Sequence, residues 1–262
     1  MAYLGIPQPL EDLLYKPSHS LIVQSYQPQQ MTAGLLNADG FGVGWYHAEP
    51  SMQPFCYRNV LPIWNDVNLV DLARYVTSHC MVAYVRSATP GLAVDLGNCQ
   101  PFKSGPLLAI HNGYIEDFRD TLYRPIREKL SDRLYQSIHG TTDSEHLFAL
   151  ILHFLEQLGG HSHDPESVAI ALSQAIQFTF QLAHPLNLKV GANMILSTGT
   201  HLIVSRAANK VPLPTLYWRQ QEQGVLLASE PLMSEPWQAL PEQSVTIVSP
   251  EGQMQIECIG TM

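Results

Sequence analysis

Three short stretches place polar side chains where they could act on a small charged molecule. Arg86 directly follows the apolar run Met81-Val82-Ala83-Tyr84-Val85, so its guanidinium emerges where a covered strand ends. A planar fork at that point suits a carboxylate held bidentately, although a structural pair with a nearby Asp or Glu fits the position equally well. His111-Asn112-Gly113 follows the run from Pro106 to Ile110 in the same manner. Asn-Gly is first of all a hairpin-turn signal. Its chemical reading is that the Asn112 amide and the Gly113 N–H supply two donors to a developing oxyanion. Thr141-Thr142-Asp143-Ser144-Glu145 holds a capping-box pattern, Thr142 with Glu145, which sets Asp143 at the start of a helix. The Asp143 carboxylate there either opposes the helix dipole or receives an ammonium group.

Other candidates lead to less. Gly40, Gly42 and Gly44 fall at period two, so a strand would carry them on one face, open to another backbone or to a ligand. Their spacing is G-x-G-x-G and opens no helix, which does not support a dinucleotide site. No P-loop and no G-x-S-x-G elbow is present. The histidines show no metal-ligand spacing: His146 and His153 stand seven apart, and His161 with His163 falls in an exposed loop. Cys56, Cys80, Cys99 and Cys258 form no C-x-x-C pair and are too sparse for a disulfide scaffold, which points to a reducing compartment, the cytoplasm by default. Cys80 and Cys258 belong to apolar strand patterns and read as core, whereas Cys99 reads as open to exposure.

The elements that must position these residues are legible from periodicity. Residues 40–60 read as two strands around a Glu-Pro-Ser turn, and the runs from Met81 and Pro106 as strands covered on both faces. A helix follows Thr142 and closes near Gly159, with Leu147, Leu150, Ile151 and Phe154 on one face. A second helix runs from Pro165 to Ala183, and three hairpins fill the chain beyond Lys189. Strands flanking a helical middle suggest two packed antiparallel sheets with helices outside them, an α+β arrangement in one domain over residues 1–262. Of the 262 residues 45% are hydrophobic and 14% charged, an ordinary globular composition. The net charge of −9 argues against a nucleic-acid partner. No secretory signal and no apolar run of membrane-spanning length is read.

Taken together and in order, N-A-D-G-F-G-V-G-W, V-R-S-A-T, H-N-G and T-T-D-S-E resemble the class II glutamine amidotransferases of the N-terminal nucleophile hydrolase superfamily. His19-Ser20-Leu21 with Gln24-Ser25, and Ala228-Ser229-Glu230-Pro231-Leu232 with Trp237, resemble the EgtC-type γ-glutamyl hydrolases of the ergothioneine pathway. The resemblance implies a four-layer αββα sandwich without cofactor or metal. It also implies that an N-terminal cysteine thiolate attacks a γ-glutamyl amide, here that of γ-glutamyl-hercynylcysteine sulfoxide, and that water then releases glutamate from a thioester. The free α-amine would serve as base. In that mechanism Arg86 holds the substrate α-carboxylate and Asp143 its α-ammonium. Asn112 and Gly113 form the oxyanion hole, and Thr89 adds a hydrogen bond near the glutamyl group. The partner implied is a small γ-glutamyl molecule, with a homo-oligomer left open.

One feature departs from the family. Its members begin M-C-R-x-x-A-Y, whereas this sequence begins M-A-Y-L-G and lacks that cysteine. A start set one short segment downstream and a real loss of the nucleophile both produce this pattern, and the 262-residue polypeptide is expected to be catalytically silent. Two other functions stay open: a glutaminase subunit feeding ammonia to a separate synthetase, and a protein that only binds γ-glutamyl compounds.

Overall fold

Alternation in the first strand already requires layers. Met1 and Tyr3 bury into one apolar cluster while Ala2 and Leu4 bury into another, as a strand covered on both faces must. The computed structural model describes residues 1–31, 34–49, 53–88 and 93–260. Its strands are β1 (Ala2–Pro9), β2 (Phe41–Trp45), β3 (Phe55–Asn59), β4 (Thr77–Val85), β5 (Phe102–Ser104), β6 (Leu107–Ile115) and β7 (Val190–Ser197). The later strands are β8 (Leu202–Arg206), β9 (Tyr217–Gln221), β10 (Gly224–Ala228), β11 (Gln238–Ala239), β12 (Ser244–Val248) and β13 (Met254–Cys258). They form a seven-stranded sheet in the order β11-β9-β10-β1-β4-β2-β3 and a six-stranded sheet in the order β13-β12-β8-β7-β6-β5. Every strand pair is antiparallel.

Three clusters fill the spaces between layers. Ala2, Leu4, Cys80 and Val82 of the first sheet meet Leu108, Ile110, Ile195 and Val204 of the second, so the sheets pack face to face. The outer face of the six-stranded sheet is covered by α4 (Tyr123–Lys129), α5 (Asp132–Gln136), α6 (Asp143–Gln157) and α7 (Pro165–Ala183) through Leu150, Ile151 and Leu172. The seven-stranded sheet is covered by α1 (Leu10–Leu14), α2 (Leu21–Tyr26) and α3 (Leu69–Tyr75) through Leu10, Leu14 and Leu69. The result is the expected α+β fold, four layers in the order αββα. No helix among the described residues is long and apolar enough to cross a membrane.

Several expectations hold to the residue. The helix read from Pro165 to Ala183 is α7, and α6 starts after an Thr142 N-cap and is followed by Gly159 at φ +62. The three late hairpins are β7–β8, β9–β10 and β12–β13. Of the turn between β2 and β3, Pro50 and Ser51 lie outside the described residues. The five short helices, α1 to α5, span five to seven residues each, too few turns to show a 3.6-residue period.

The glycine face of β2 faces protein. A Cβ at Gly42 would strike the Gln100 carbonyl, one at Gly44 would come within 2.7 Å of Leu108, and one at Gly40 within 2.6 Å of Cys99 Sγ. The three glycines thus let the Cys99-Gln100 backbone and the second sheet close onto β2.

Candidate active site

The positive pole of the site is Arg86, just past β4. Side chains two apart on this strand share a face, so Arg86 continues the row Cys80, Val82, Tyr84 that looks into the gap between the sheets. The residue is only 4% exposed. Its Nη1 donates to the Asp39 carbonyl at 3.2 Å, and Nη1 and Nη2 both lie 3.5 Å from the Ala93 carbonyl. Backbone bonds from Arg86 to Gly40 and from Asp39 to Arg86, each 2.9 Å, fix the segment. Among the described residues Arg86 makes no ion pair, so the alternative of a structural partner carboxylate finds no support. A buried cation cradled by neutral carbonyls has capacity left for an anion.

Asn112 and Gly113 correct a reading. They lie inside β6, paired with Asn193 and Ala192 of β7, and make no turn. The local Asn-Gly preference is overridden because β7 supplies a continuous ladder, and Gly113 is needed there for another reason. A Cβ at Gly113 would strike the Gly191 carbonyl and come within 2.6 Å of His111 Nε2. Asn112 shares the face of Leu108 and Ile110, so its exposed side chain stands at the rim of the gap between the sheets, on the side that Arg86 faces.

The edge of β6 is open here because β5 pairs only with Leu107, Leu108 and Ala109. Backbone N–H groups of alternate residues point to that edge. His111 N–H donates to Gln100 Oε1 at 2.6 Å, and Ile115 N–H to Asp143 Oδ2 at 2.7 Å. Gly113 N–H lies between them, points the same way and has no partner among the described residues. A free N–H beside an exposed carboxamide is a two-donor site for an oxygen that gains charge.

The negative pole is Asp143, the first residue of α6. Besides Ile115 N–H on Oδ2, it receives Ser144 N–H at 2.8 Å and Ser144 Oγ at 3.2 Å on Oδ1. It therefore pins the helix to β6 three residues beyond Asn112, and no cation among the described residues pairs with it. The expected capping box is half formed. Thr142 Oγ1 accepts from Glu145 N–H at 3.3 Å, but the Glu145 carboxylate turns to the N–H groups of His139 at 2.9 Å and Gly140 at 2.6 Å. The Tyr84 phenol senses both poles. Burial pushes it up to about 12, the Asp143 carboxylate adds to the rise and Arg86 opposes it. Arg86 and Asp143 thus both lie within electrostatic reach of Tyr84, and Asp143 is tied to the strand that carries Asn112 and Gly113, while Thr89 lies outside the described residues.

None of the four cysteines has the environment of an activated thiol. Cys80 lies in the core, 3.1 Å from Ser197 Oγ, and burial drives it up to about 12. Cys99 is buried rather than exposed, and burial again raises its thiol. Cys258 is exposed on the edge strand β13 and not core, because β13 contributes a solvent-facing row. The β1–β4 register is the other informative feature. Ala2 pairs with Val82, and Met1 prolongs the ladder, its amine donating to the Ala83 carbonyl at 2.8 Å and its carbonyl accepting from Ala83 N–H at 2.9 Å. Burial lowers that amine to about 5.

Several contributing residues carry no signal of their own in the sequence. Tyr84 reads as one more apolar residue of its strand, and Gln100 and Ser144 as ordinary loop and cap positions. The stretches around His19 and Glu230 do come together at the end of β10: His19 Nε2 lies 3.0 Å from Glu230 Oε2, and Glu230 also accepts from Gln29 N–H at 2.8 Å and Gln30 N–H at 2.9 Å.

A family model described as glutamine amidotransferases class-II matches residues 16–216. A Mycolicibacterium smegmatis protein named gamma-glutamyl-hercynylcysteine sulfoxide hydrolase is 30% identical over 250 residues, 95% of this chain and 94% of the relative. A Saccharomyces cerevisiae protein named probable glutamine amidotransferase DUG3 is 35% identical over 165 residues, 61% of this chain and 45% of the relative. Among solved structures, a glutamine aminotransferase class-II domain protein from Silicibacter pomeroyi aligns with TM-score 0.69 and 26% identity over 98% of this chain and 97% of its own. Glutamine phosphoribosylpyrophosphate amidotransferase from B. subtilis shares the fold, with TM-score 0.66 at 16% identity over 100% of this chain and 49% of its own.

Proposed function

Because the chain belongs to the class II glutamine amidotransferases, we propose that its site hydrolyses a γ-glutamyl amide and releases glutamate. The observation that carries this reading is the pair of opposite charges without counterions among the described residues: a buried guanidinium held by carbonyls and a carboxylate held by N–H groups. A glutamyl zwitterion supplies a carboxylate for Arg86 and an ammonium for Asp143. Asn112 and Gly113 N–H then face the amide oxygen as it becomes a tetrahedral oxyanion. The similarity to a named γ-glutamyl-hercynylcysteine sulfoxide hydrolase over nearly the whole chain supports that compound as the substrate.

The nucleophile in this reading is a cysteine ahead of Ala2, at the spacing of the M-C-R-x-x-A-Y motif. The ladder pairs Ala2 with Val82 and Met1 with Ala83, so residue numbers across it sum to 84. A residue four positions ahead of Ala2, about 13 Å along the strand at roughly 3.3 Å per residue, falls opposite Arg86 in that register. It would stand at the end of the gap where the charged poles and the oxyanion donors gather. Its thiolate attacks the γ-carbonyl, the amine leaves with a proton from the α-amino group, and water opens the thioester.

The test supplies that segment. A protein beginning Met-Cys-Arg ahead of the present first residues, processed to a free N-terminal cysteine, is expected to release glutamate from γ-glutamyl amides. Thiol alkylation should abolish the release, and an uncleaved tag ahead of the cysteine should prevent it. Alkylation-insensitive glutamate release by the 262-residue chain would overturn the cysteine mechanism. Release that needs a co-purified synthetase would move the function to ammonia supply.

A further inference from the structure

Two buried polar groups, His111 and Ser144, touch neither the gap between the sheets nor solvent, at 1% and 6% exposure. We infer that Ser144 and His111 are positioning residues for Asp143, forming a fixed relay from the β7 backbone to the carboxylate that receives the substrate ammonium. The inference rests on the reading of Asp143 given above.

The relay has a direction that hydrogen-bond chemistry sets. His111 Nε2 lies 2.9 Å from the Gly191 carbonyl, which only accepts, so Nε2 carries a proton. Nδ1 lies 2.9 Å from Ser144 Oγ, and Ser144 Oγ lies 3.2 Å from Asp143 Oδ1. The hydroxyl has one proton to give, so a relay that reaches Asp143 has the hydroxyl donating to Asp143 Oδ1 and Nδ1, also carrying a proton, donating to the hydroxyl. In that arrangement the imidazole holds Oγ in place.

The consequence falls on Asp143. A carboxylate offers about four acceptor positions. Ser144 N–H and Oγ occupy Oδ1, Ile115 N–H takes one position on Oδ2, and one position on Oδ2 is left for a ligand. Both anchors of the system, the His111 ring and the Ile115 N–H, belong to β6, the strand that also carries Asn112 and Gly113. The ammonium receptor is therefore set in register with the oxyanion donors, and a rotation of the Asp143 carboxyl would break that registration. His111 itself packs under Gly113, so its replacement would disturb the oxyanion donors as well, which makes Ser144 the cleaner position to test.

The experiment measures equilibrium binding of L-glutamate and of glutarate, which lacks the α-ammonium, and needs no turnover. The unsubstituted protein is expected to prefer L-glutamate. Ser144→Ala should weaken L-glutamate about 3- to 10-fold, the loss of one hydrogen bond's positioning, and change glutarate by less than about 2-fold. Ser144→Thr, which keeps the hydroxyl, should restore the preference. Asp143→Asn should bring the two ligands to near-equal affinity. A folded Ser144→Ala protein that loses both ligands equally, or neither, overturns the relay. If Asp143→Asn keeps the full preference for L-glutamate, the assignment of Asp143 itself is wrong. Failure of the unsubstituted protein to bind either ligand overturns both.

Discussion

The two charged poles of the site are built from opposite materials. Among the described residues, the hydrogen bonds of the Arg86 guanidinium all go to carbonyl oxygens, of Asp39 and Ala93, and those of the Asp143 carboxylate come from Ile115 and Ser144. Neither pole is neutralised by a charge among the described residues, although Arg86 is buried and Asp143 half-buried. Glu145 and Glu230 make the contrast sharper. Each is a buried carboxylate with both oxygens engaged by backbone N–H groups, and Glu230 also has His19 beside it. Those two are buried and hold loops, whereas Asp143 is half-buried and Arg86, though buried, has no counterion among the described residues. Burying a cation without a partner costs stability, so Arg86 is informative about ligands in a way that a carboxylate held by backbone N–H groups is not.

The largest effect is expected at the positive pole. Arg86→Ala is expected to weaken L-glutamate and glutarate alike by roughly 2 to 5 kcal/mol, because both carry the carboxylate it would hold. Arg86→Lys should recover little, since an ammonium lacks the planar fork. Titration of both ligands checks this, and a loss confined to L-glutamate would exchange the roles of the two poles.

The donors between the poles come next. In a protein with its nucleophile, Asn112→Ala should lower kcat by about 10² to 10³ with a modest change in KM. Because Asn112 sits in a strand and not a turn, its melting temperature should stay near that of the parent. Unchanged kcat would remove Asn112 from the chemistry.

The negative pole is expected to yield a smaller effect. Asp143→Asn keeps the shape and an acceptor for Ile115 N–H but loses the charge, and should cost L-glutamate about 1.5 to 3 kcal/mol while sparing glutarate. The ratio of the two affinities is the measurement.

The smallest effect tests whether site and core are separable. His146 lies one helical turn past Thr142, bonded to its carbonyl at 2.7 Å and packed against Phe118 and Tyr123. Burial lowers its imidazole from 6.5 to about 4. The unfolded chain therefore takes up this proton first as pH falls, so the stabilisation is complete above about 6.5 and is lost toward 4. Between pH 6.5 and 5.5 this amounts to about 1 kcal/mol. Glu145 acts in the opposite sense, since burial raises its carboxyl and favours the folded state as it protonates. Denaturant melts of the parent and His146→Gln across this range isolate the histidine, and L-glutamate affinity should not change between them.

Periodicity and caps in the sequence determined α6, α7, the three late hairpins and the two-sheet arrangement, because each depends on neighbours within a few residues of one another. Residue type and local pattern raised Arg86, Asn112, Gly113 and Asp143 only as candidates, each with a structural alternative, and it was the resemblance of the motifs taken in order that gave them roles. What local information could not decide was whether Asn112-Gly113 bends the chain. That answer came from β7, some eighty residues away, whose ladder overrides a turn preference of two residues. The same holds for Cys99, which the Gly40 position encloses, and for Asp143, whose partner Ile115 N–H is free only because β5 ends early. Whether a charged residue is paired depends on every element packed around it, and spacing along one chain carries no record of that. Only the tertiary structure could show that Arg86 and Asp143 both lie within electrostatic reach of Tyr84 and that neither has a counterion among the described residues.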